Sequence, residues 1–305
     1  MTENETEFNK EELQQLLNEK LENLKELDKV GKNSNYIQEL SDIALIQLQL
    51  EQFIESEETY LICLKHFRKQ KDRLGQAAVY GLLGTLNFKK GEYEKSIDFY
   101  EKAYNIYNEL HQIQEKITCL KGIGNSYIQL NQWDDACDIF LDCSALCSDN
   151  NDIYNLLDCL GNLIHIHETV EKWDIVFELY KKTLKIFKEI KDNKGIITSY
   201  FNLGILQKKF NNLEDAVRYF KKGTNMAIDS NFADLIIRGF SYIGENLFYL
   251  GKIKEAKNQF IKALHIAKKI GADNAVAQLR ILLESIGMQN KNILDELKEY
   301  EKSQK

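Results

Sequence analysis

Cysteine and histidine are the residues of this chain whose spacing could support metal chemistry. Five of the six cysteines fall within residues 119–159, and Cys143 and Cys147 are one helical turn apart, so both could face one ligand. Zinc sites commonly use spaced Cys-x-x-Cys pairs, and no such pair accompanies them. His165 and His167 would point in nearly opposite directions on a helix and cannot chelate together. The sequence therefore predicts no metal site.

The cysteines instead occupy positions that recur along the chain. Residues that share such a position at multiples of 40 residues are Cys63, Ala103, Cys143, Gly223 and Ala263, and likewise Val79, Cys119, Cys159, Ser199 and Gly239. These positions carry mostly small residues, and free cysteine packs as a compact hydrophobic side chain. We expect reduced, buried thiols, because the acidic start MTENETEFNKEEL does not resemble a secretory signal.

Catalytic and cofactor motifs are missing from the sequence. It lacks the phosphate-binding pattern G-x-x-x-x-G-K-[ST], and Glu168 does not complete an H-E-x-x-H motif. Asp72, Asp152 and Asp192 stand where helices are predicted to begin, so we expect them to cap first-turn amides rather than to act as acids. The sequence therefore predicts a protein that is not an enzyme and that binds no cofactor.

A unit of 40 residues repeats along the chain, most clearly as GIITSYFNLGILQKKFNNLEDAVRYFKKG from Gly195 to Gly223. Each unit reads as a helix, a tight turn and a second helix. Glycine inside a helix costs about 1 kcal/mol relative to alanine, so its recurrence indicates close packing of the partner helix. The recurring glycines are Gly84, Gly124, Gly204 and Gly244, and the recurring aromatic residues are Tyr60, Tyr100, Phe140, Tyr180, Phe220, Phe260 and Tyr300. The pattern predicts an all-α solenoid of about seven helix pairs.

The helix pairs are predicted to fill residues 36–305. Residues 1–35 comprise a disordered start, residues 1–8, and an amphipathic helix that begins at the capping pair Asn9 and Glu12. We expect this helix to cap the solenoid by covering the second helix of the first repeat. The predicted repeats are 36–72, 73–112, 113–152, 153–192, 193–232, 233–272 and a degenerate capping repeat at 273–305.

Two repeats depart from the pattern. Ile164 and Val176 occupy the glycine and small-residue positions of the fourth repeat, whose helices would then pack less closely and could form a hinge. Glu284 and Glu296 occupy the same two positions in the seventh repeat. A polar outer surface is what a terminal repeat needs, so we expect the seventh repeat to be a cap.

Charge and hydropathy limit the kinds of partner. The chain has 40 lysines and arginines against 47 acidic residues, a formal net charge of −7, and it has no long basic run. Nucleic acid is therefore not an expected partner. No stretch approaches eighteen uninterrupted apolar residues, so we expect no membrane insertion and a cytoplasmic protein.

The repeats resemble the tetratricopeptide pattern of a Leu-Gly pair, an aromatic residue, a turn glycine, a small residue and a second aromatic residue. The segments that carry the resemblance are YFNLGILQKKFNNLEDAVRYF, VYGLLGTLNFKKGEYEKSIDFY and CLKGIGNSYIQLNQWDDACDIF. A period of 40 residues without a closing proline is similar to the longer repeats of Pins/LGN-type adaptors, kinesin light chains and Rap-type regulators.

The resemblance implies a right-handed superhelix whose first helices line a concave groove for a peptide or a partner helix. By this register, the candidate peptide-binding residues are Lys121, Asn125, Asp158, Asn162, His165, Asn202, Arg238, Tyr242 and Glu245. Some tetratricopeptide domains hold a C-terminal carboxylate with a clamp of cations and amides. Lys121, Asn125 and Asn162 match part of such a clamp, but Thr198 and Asn202 replace its last two cations, so the clamp is incomplete.

These observations predict a monomeric, non-enzymatic adaptor that captures a protein segment in the groove. The alternative interpretation of the same residues is an ordinary helix surface that contacts only solvent. Asparagine is a poor helix former, however, and its amide can both donate to and accept from a peptide backbone. An alternative function is a peptide-sensing regulator of the Rap type, in which a bound peptide changes the pitch of the superhelix.

Overall fold

The computed structural model describes residues 9–31 and 33–303, so the predicted disordered start, residues 1–8, lies outside the described residues. Within these ranges the chain forms fifteen α-helices and no strand, which confirms the all-α repeat fold. The helices are α1 (Lys10–Val30), α2 (Ser34–Gln49), α3 (Phe53–Gln70), α4 (Arg73–Lys90), α5 (Tyr93–Glu109), α6 (Ile113–Gln129), α7 (Trp133–Asp149), α8 (Ile153–Thr169), α9 (Trp173–Glu189), α10 (Asn193–Lys209), α11 (Leu213–Asp229), α12 (Ala233–Tyr249), α13 (Ile253–Lys269), α14 (Asp273–Ser285) and α15 (Asn290–Ser303).

The helices belong to two compact units, Met1–Ile166 and His167–Lys305. Within each unit, packing is mainly between helices that follow one another in sequence. The boundary between the units falls inside α8, in the repeat for which Ile164 and Val176 predicted looser packing. A hinge at this place stays a prediction.

The recurring glycines lie beneath the recurring aromatic rings. A side-chain carbon added to Gly84 would be 2.8 Å from the ring of Tyr100, and one added to Gly204 would be 2.6 Å from the ring of Phe220. Real carbon atoms do not approach so closely, so these positions exclude a side chain. The same arrangement joins Gly124 to Phe140 and Gly244 to Phe260. The predicted close packing of the two helices against glycine is confirmed.

Aspartate caps begin three of the first helices, as predicted. The amides of Gly75 and Gly195 donate to Oδ1 of Asp72 at 2.9 Å and of Asp192 at 3.1 Å. Asp152 accepts from the amide of Asn155 at 3.2 Å and from its side chain at 2.9 Å, and these hydrogen bonds lower the pKa of Asp152. The carboxylates therefore satisfy amides that the first turn of a helix leaves unpaired.

A left-handed residue stands in every turn from residue 51 to residue 271, at intervals of 20 residues. Helices α5 to α13 are each 17 residues long and are joined by three-residue turns, which explains the interval. Glycine occupies the left-handed position at Gly91, where φ is 78°. Charged residues occupy it in four other turns, for example Glu171 with φ of 57° and Lys71 with φ of 61°, and asparagine occupies it in four more. Residues with a Cβ atom are strained in this conformation.

Replacing Glu171 with glycine should therefore stabilise the protein. Relief of the left-handed strain is worth about 1 to 2 kcal/mol, and the greater freedom of glycine in the unfolded chain offsets about half of it. Thermal unfolding followed by circular dichroism should show a higher melting temperature for Glu171→Gly. Asn131→Gly is the matched control, since asparagine tolerates the same conformation (φ 57°) and should gain little. A lower melting temperature for Glu171→Gly would contradict the assigned turn conformation.

Helix α1 begins at the predicted capping box, in which the Glu12 amide donates to Asn9 Oδ1 and the Asn9 amide donates to Glu12 Oε2, both at 2.9 Å. The prediction of which helix α1 covers, however, was wrong. The α1 helix packs mainly on α2, the first helix of the first repeat, rather than on the second helix: Leu17 is buried against Ile43, Ile46 and Leu50. The apolar face of α1 therefore completes the core below α2.

The seventh pair keeps its predicted apolar register but has shifted helix ends. Leu283, Ile293 and Leu297 are buried as expected. Helix α14 is only 13 residues long, because the chain turns at Gly287, where φ is 87°. Glu296, at the small-residue position, forms an ion pair with Lys257 at 2.5 Å. Within the described residues, none of the helices combines the length and the apolar composition that a membrane span requires.

Candidate functional site

Lys121 and Asp158 are joined in the first unit, on helices α6 and α8. Their ammonium nitrogen and carboxylate Oδ2 are 2.6 Å apart, and Lys121 Nζ also donates to Asn155 Oδ1 at 3.0 Å. Asn155 in turn holds Asp152, so a polar network links the two first helices. This ion pair changes the expected role of Lys121, because an incoming carboxylate would have to compete with Asp158 for its ammonium group.

The other predicted residues of the first unit lie at or near the surface. Asn125 is half-buried on α6, and Asn162 is half-buried on α8, where its side chain donates to the backbone carbonyl of Asp158 at 3.1 Å. His165 is exposed, and its ring meets the edge of Trp133 with 6.4 Å between centroids. Backbone hydrogen bonding of Asn162 uses one of the amide donors that we expected to face a peptide.

Three predicted residues of the second unit come together in one cleft. Arg238, Tyr242 and Glu245 lie along α12 and border a space of about 420 Å³. The opposite wall is formed by Ala275, Gln278, Leu279 and Leu282 of α14, and Ile270 and Ala272 complete it. The cleft therefore lies between two successive first helices, and its lining combines one cation, Arg238, with two carboxylates, Asp234 and Glu245, and with apolar side chains.

The predicted residues that line this second-unit cleft differ in their exposure to solvent and in the contacts that they already make. Arg238 is exposed, whereas Glu245 forms an ion pair with Lys208 at 3.2 Å. The ring of Tyr242 packs against Phe220, with 4.8 Å between centroids, so it belongs partly to the core. Asn202 is half-buried on α10 and does not line the cleft. Arg238 is therefore the predicted residue of this cleft most exposed to a ligand.

A cleft in the first unit was missed by the sequence reasoning. It has a volume of about 390 Å³ and is lined mainly by apolar and small residues of α4 and α6. Its walls are Ala78, Gly81, Leu82, Thr85, Tyr100, Tyr107, Gln114, Glu115, Thr118 and Cys119. Gly81 could have signalled it: this glycine lies three residues before the packed glycine Gly84, and nothing lies within 4 Å of a carbon atom added to it.

Five of the six cysteines are buried as predicted, and Cys137 is half-buried. Three of the buried cysteines form a cluster that the sequence did not reveal. The sulfur atoms of Cys143, Cys147 and Cys159 lie within 4.8 Å of one another. Cys143 and Cys147 are on α7, and packing of α8 brings Cys159 to them. Burial raises the pKa of Cys147 to about 12, and burial likewise raises that of Cys119 to about 12. Both thiols are therefore protonated at neutral pH.

Family comparisons agree with the repeat geometry. The tetratricopeptide repeat model matches residues 37–109 and 156–229, and a second model of the same repeat matches residues 119–154. The chain belongs to the tetratricopeptide repeat family. A tetratricopeptide repeat-containing protein of Methanocaldococcus jannaschii is 22% identical over 214 residues. That match covers 68% of this chain and 35% of the relative, so the chain spans about a third of the relative's length.

Solved structures with tetratricopeptide-like folds are similar in backbone and distant in sequence. The apo form of RapI has a TM-score of 0.53 at 13% identity, covering 85% of this chain and 99% of that one. BtubC from P. vanneervenii has a TM-score of 0.52 at 17% identity, covering 70% and 90%. A signal transduction ATPase from Pyrococcus horikoshii, which carries a tetratricopeptide repeat sensor, has a TM-score of 0.53 at 15% identity, covering 98% and 46%. At these identities the likeness concerns the fold alone.

Proposed function

We propose that the chain is a non-enzymatic scaffold that binds a peptide or a partner helix on the surface of its first helices. The observation that carries this proposal is the cleft between α12 and α14, where the predicted residues Arg238, Tyr242 and Glu245 border a space of about 420 Å³. Such a volume accepts one or two large side chains of a bound segment. The apolar wall would bury them, and Arg238 would favour an acidic group beside them.

The first-unit cleft supports the same proposal independently. It too lies between two successive first helices, α4 and α6, and its lining is more apolar. Gly81 costs about 1 kcal/mol in helix propensity, and no packing contact requires it. A binding surface that needs a partner's backbone to approach closely gives a reason for this glycine. A cytoplasmic location and a monomeric state stay predictions that accompany this function.

The proposal is tested by selecting peptides from a random display library on the purified protein and measuring their affinity by fluorescence anisotropy. Gly81→Leu should fill the first-unit cleft, and Arg238→Glu should reverse the charge at the second-unit cleft. We expect each selected peptide to lose about tenfold or more in affinity with one of the two variants, since one charge-assisted contact or one buried apolar side chain is worth at least about 1.4 kcal/mol.

Gly81→Ala is the matched control for the first-unit cleft. It leaves the cleft almost open and should raise the melting temperature, because alanine favours the helix by about 1 kcal/mol. Peptide affinity should therefore survive Gly81→Ala and fall with Gly81→Leu. Failure to select any peptide, or selected peptides that bind both cleft variants as tightly as the wild type, would contradict the proposed binding surface.

A peptide-sensing regulator is the second candidate function. The observation that favours it is the division of the chain into two compact units inside α8. A regulator of this kind must change its conformation when the peptide binds, whereas a scaffold need not. Small-angle X-ray scattering with and without a selected peptide separates the two. A radius of gyration that changes on binding supports the regulator, and an unchanged one supports the scaffold.

A further inference from the structure

The cysteine cluster of Cys143, Cys147 and Cys159 is not used by the proposed binding surface. All three side chains are fully buried, with exposed fractions of 0%. The other buried cysteines lie outside this cluster. Cys63, for example, donates weakly to the carbonyl of Ile37 at 3.9 Å and accepts from Ser41. Packing alone explains an isolated cysteine such as Cys63. It does not explain why three sulfur atoms converge within 4.8 Å.

Three sulfur donors without a fourth ligand restrict the ion that could be held. Among the residues that the structure describes, no histidine, aspartate or glutamate side chain joins the cluster as a ligand. Zinc is almost always bound by four ligands in structural sites, and in sites with three protein ligands a water molecule takes the fourth position. The fully buried cluster has no exposed face for that water. A soft ion that is satisfied by three sulfur atoms fits better.

Charge restricts the choice further, because an unpaired charge in a protein interior is costly. Three thiolates around Zn²⁺ leave one net negative charge, and three around Cu⁺ leave two. Lys121 lies close enough to act on Cys159, but Asp158, which pairs with its ammonium group at 2.6 Å, acts on the same thiol in the opposite direction. The ion pair therefore brings no net positive charge to the cluster. A trivalent ion with three thiolates is neutral. Trivalent ions of the arsenic group also carry a lone pair, which takes the place of a fourth ligand.

We propose that Cys143, Cys147 and Cys159 form a binding site for a trivalent thiophilic ion such as arsenic(III). At neutral pH arsenite is the uncharged acid As(OH)₃, which can reach an apolar interior more readily than a metal cation. Each thiol gives its proton to one departing hydroxide, so that three As–S bonds form, three As–O bonds break and three water molecules leave. No atom is oxidised or reduced.

The geometry requires only small movements. Sulfur atoms that are each about 2.3 Å from a shared ion lie about 3.5 to 4 Å from one another. The three atoms already lie within 4.8 Å. Rotation of a cysteine side chain about its one torsion moves sulfur by more than the difference, so the helices need not separate.

The experiment adds arsenite to the full-length protein, kept reduced with a phosphine rather than a thiol, and follows the complex by native mass spectrometry. We expect one adduct, heavier than the protein by one arsenic atom less three hydrogen atoms. The chain supplies tolerated residues for the variants: alanine stands at the position of Cys143 in Ala103, alanine at that of Cys147 in Ala227, and serine at that of Cys159 in Ser199. Cys143→Ala, Cys147→Ala and Cys159→Ser should each fold and should each lower the affinity about 100-fold, because one tethered donor is lost.

Cys63→Ala and Cys119→Ala are matched controls, since these cysteines share the repeat positions of Cys143 and Cys159 and lie outside the cluster. Both should bind arsenite as the wild type does. Circular dichroism melting of every variant separates loss of the site from loss of the fold. The proposal is overturned by an adduct that keeps two or three of the hydrogens, by arsenite binding that survives Cys159→Ser, or by tighter stoichiometric binding of Zn²⁺ or Cu⁺ than of arsenite in parallel titrations.

Discussion

Replacing Phe220 with alanine is expected to lower the free energy of unfolding by about 3 to 5 kcal/mol. The ring is fully buried between α10 and α12: it lies on Gly204, and it contacts Tyr242 with 4.8 Å and Phe201 with 6.2 Å between centroids. Glycine cannot fill the space that the ring leaves, and the neighbouring rings can only partly collapse into it. Urea unfolding followed by circular dichroism measures the loss.

Tyr180 gives the control for the Phe220 prediction. It occupies the same repeat position, but it is only half-buried, and its hydroxyl group donates to Glu168 at 2.9 Å. Tyr180→Ala should therefore cost less than Phe220→Ala. The reciprocal change Gly204→Ala should also destabilise the protein by about 1 to 3 kcal/mol, because the added carbon meets the ring at 2.6 Å. If Gly204→Ala stabilised the protein through its better helix propensity, the packing of ring on glycine would be refuted.

Removing residues 1–31 is expected to have the second large effect, a loss on the order of 4 kcal/mol with a tendency to aggregate. The deletion uncovers Ile43, Ile46 and Leu50, which α1 shields from water through Leu17. Each such side chain is worth about 1.5 to 3 kcal/mol when it is fully buried. The deletion also removes Lys20, whose ammonium group pairs with Asp42 at 2.8 Å and with Glu39 at 3.1 Å. Helicity per residue should change little, since the remaining pairs keep their neighbours.

Two point variants on α1 separate packing from a general effect of truncation. Leu17 is 3% exposed and Leu21 is 37% exposed on the same helix. Leu17→Ala should cost about 2 to 5 kcal/mol, whereas Leu21→Ala should cost less than about 1 kcal/mol. Calorimetric melting of the full chain measures both. Equal, small effects of the two variants would mean that α1 is a detached tail.

The fold was predictable because its signals are local and recur. An aspartate at a helix start, as at Asp72 or Asp192, reports a cap wherever it occurs. A glycine and an aromatic residue recur together every 40 residues. Each recurrence indicates the same packing contact, so the sequence signals that contact several times. A single helix such as α1 gives no repetition, and its apolar face was predicted correctly while its partner helix was not.

The candidate site was less predictable, because it depends on side chains that meet across helices. The repeat register placed Arg238, Tyr242 and Glu245 on one helix, and packing of α14 then made a cleft of them. Register alone could not reveal that Lys121 pairs with Asp158, which depends on the rotamers of two long side chains. It also could not reveal the approach of Cys159 to Cys143, because residues 16 positions apart meet only through the angle between α7 and α8.

The left-handed residue in every turn has a consequence for how such a chain can grow or shrink. Because the turns recur every 20 residues, the gain or loss of one helix with its turn would leave the backbone path of the remaining turns unchanged. The side chains impose a longer interval, since the recurring aromatic positions, and the glycines that most of them cover, return only every 40 residues. An insertion of 20 residues would thus preserve the turn conformations but would disrupt the packing of the core side chains. Duplication or excision of DNA encoding 40 residues is the smallest event that both accept.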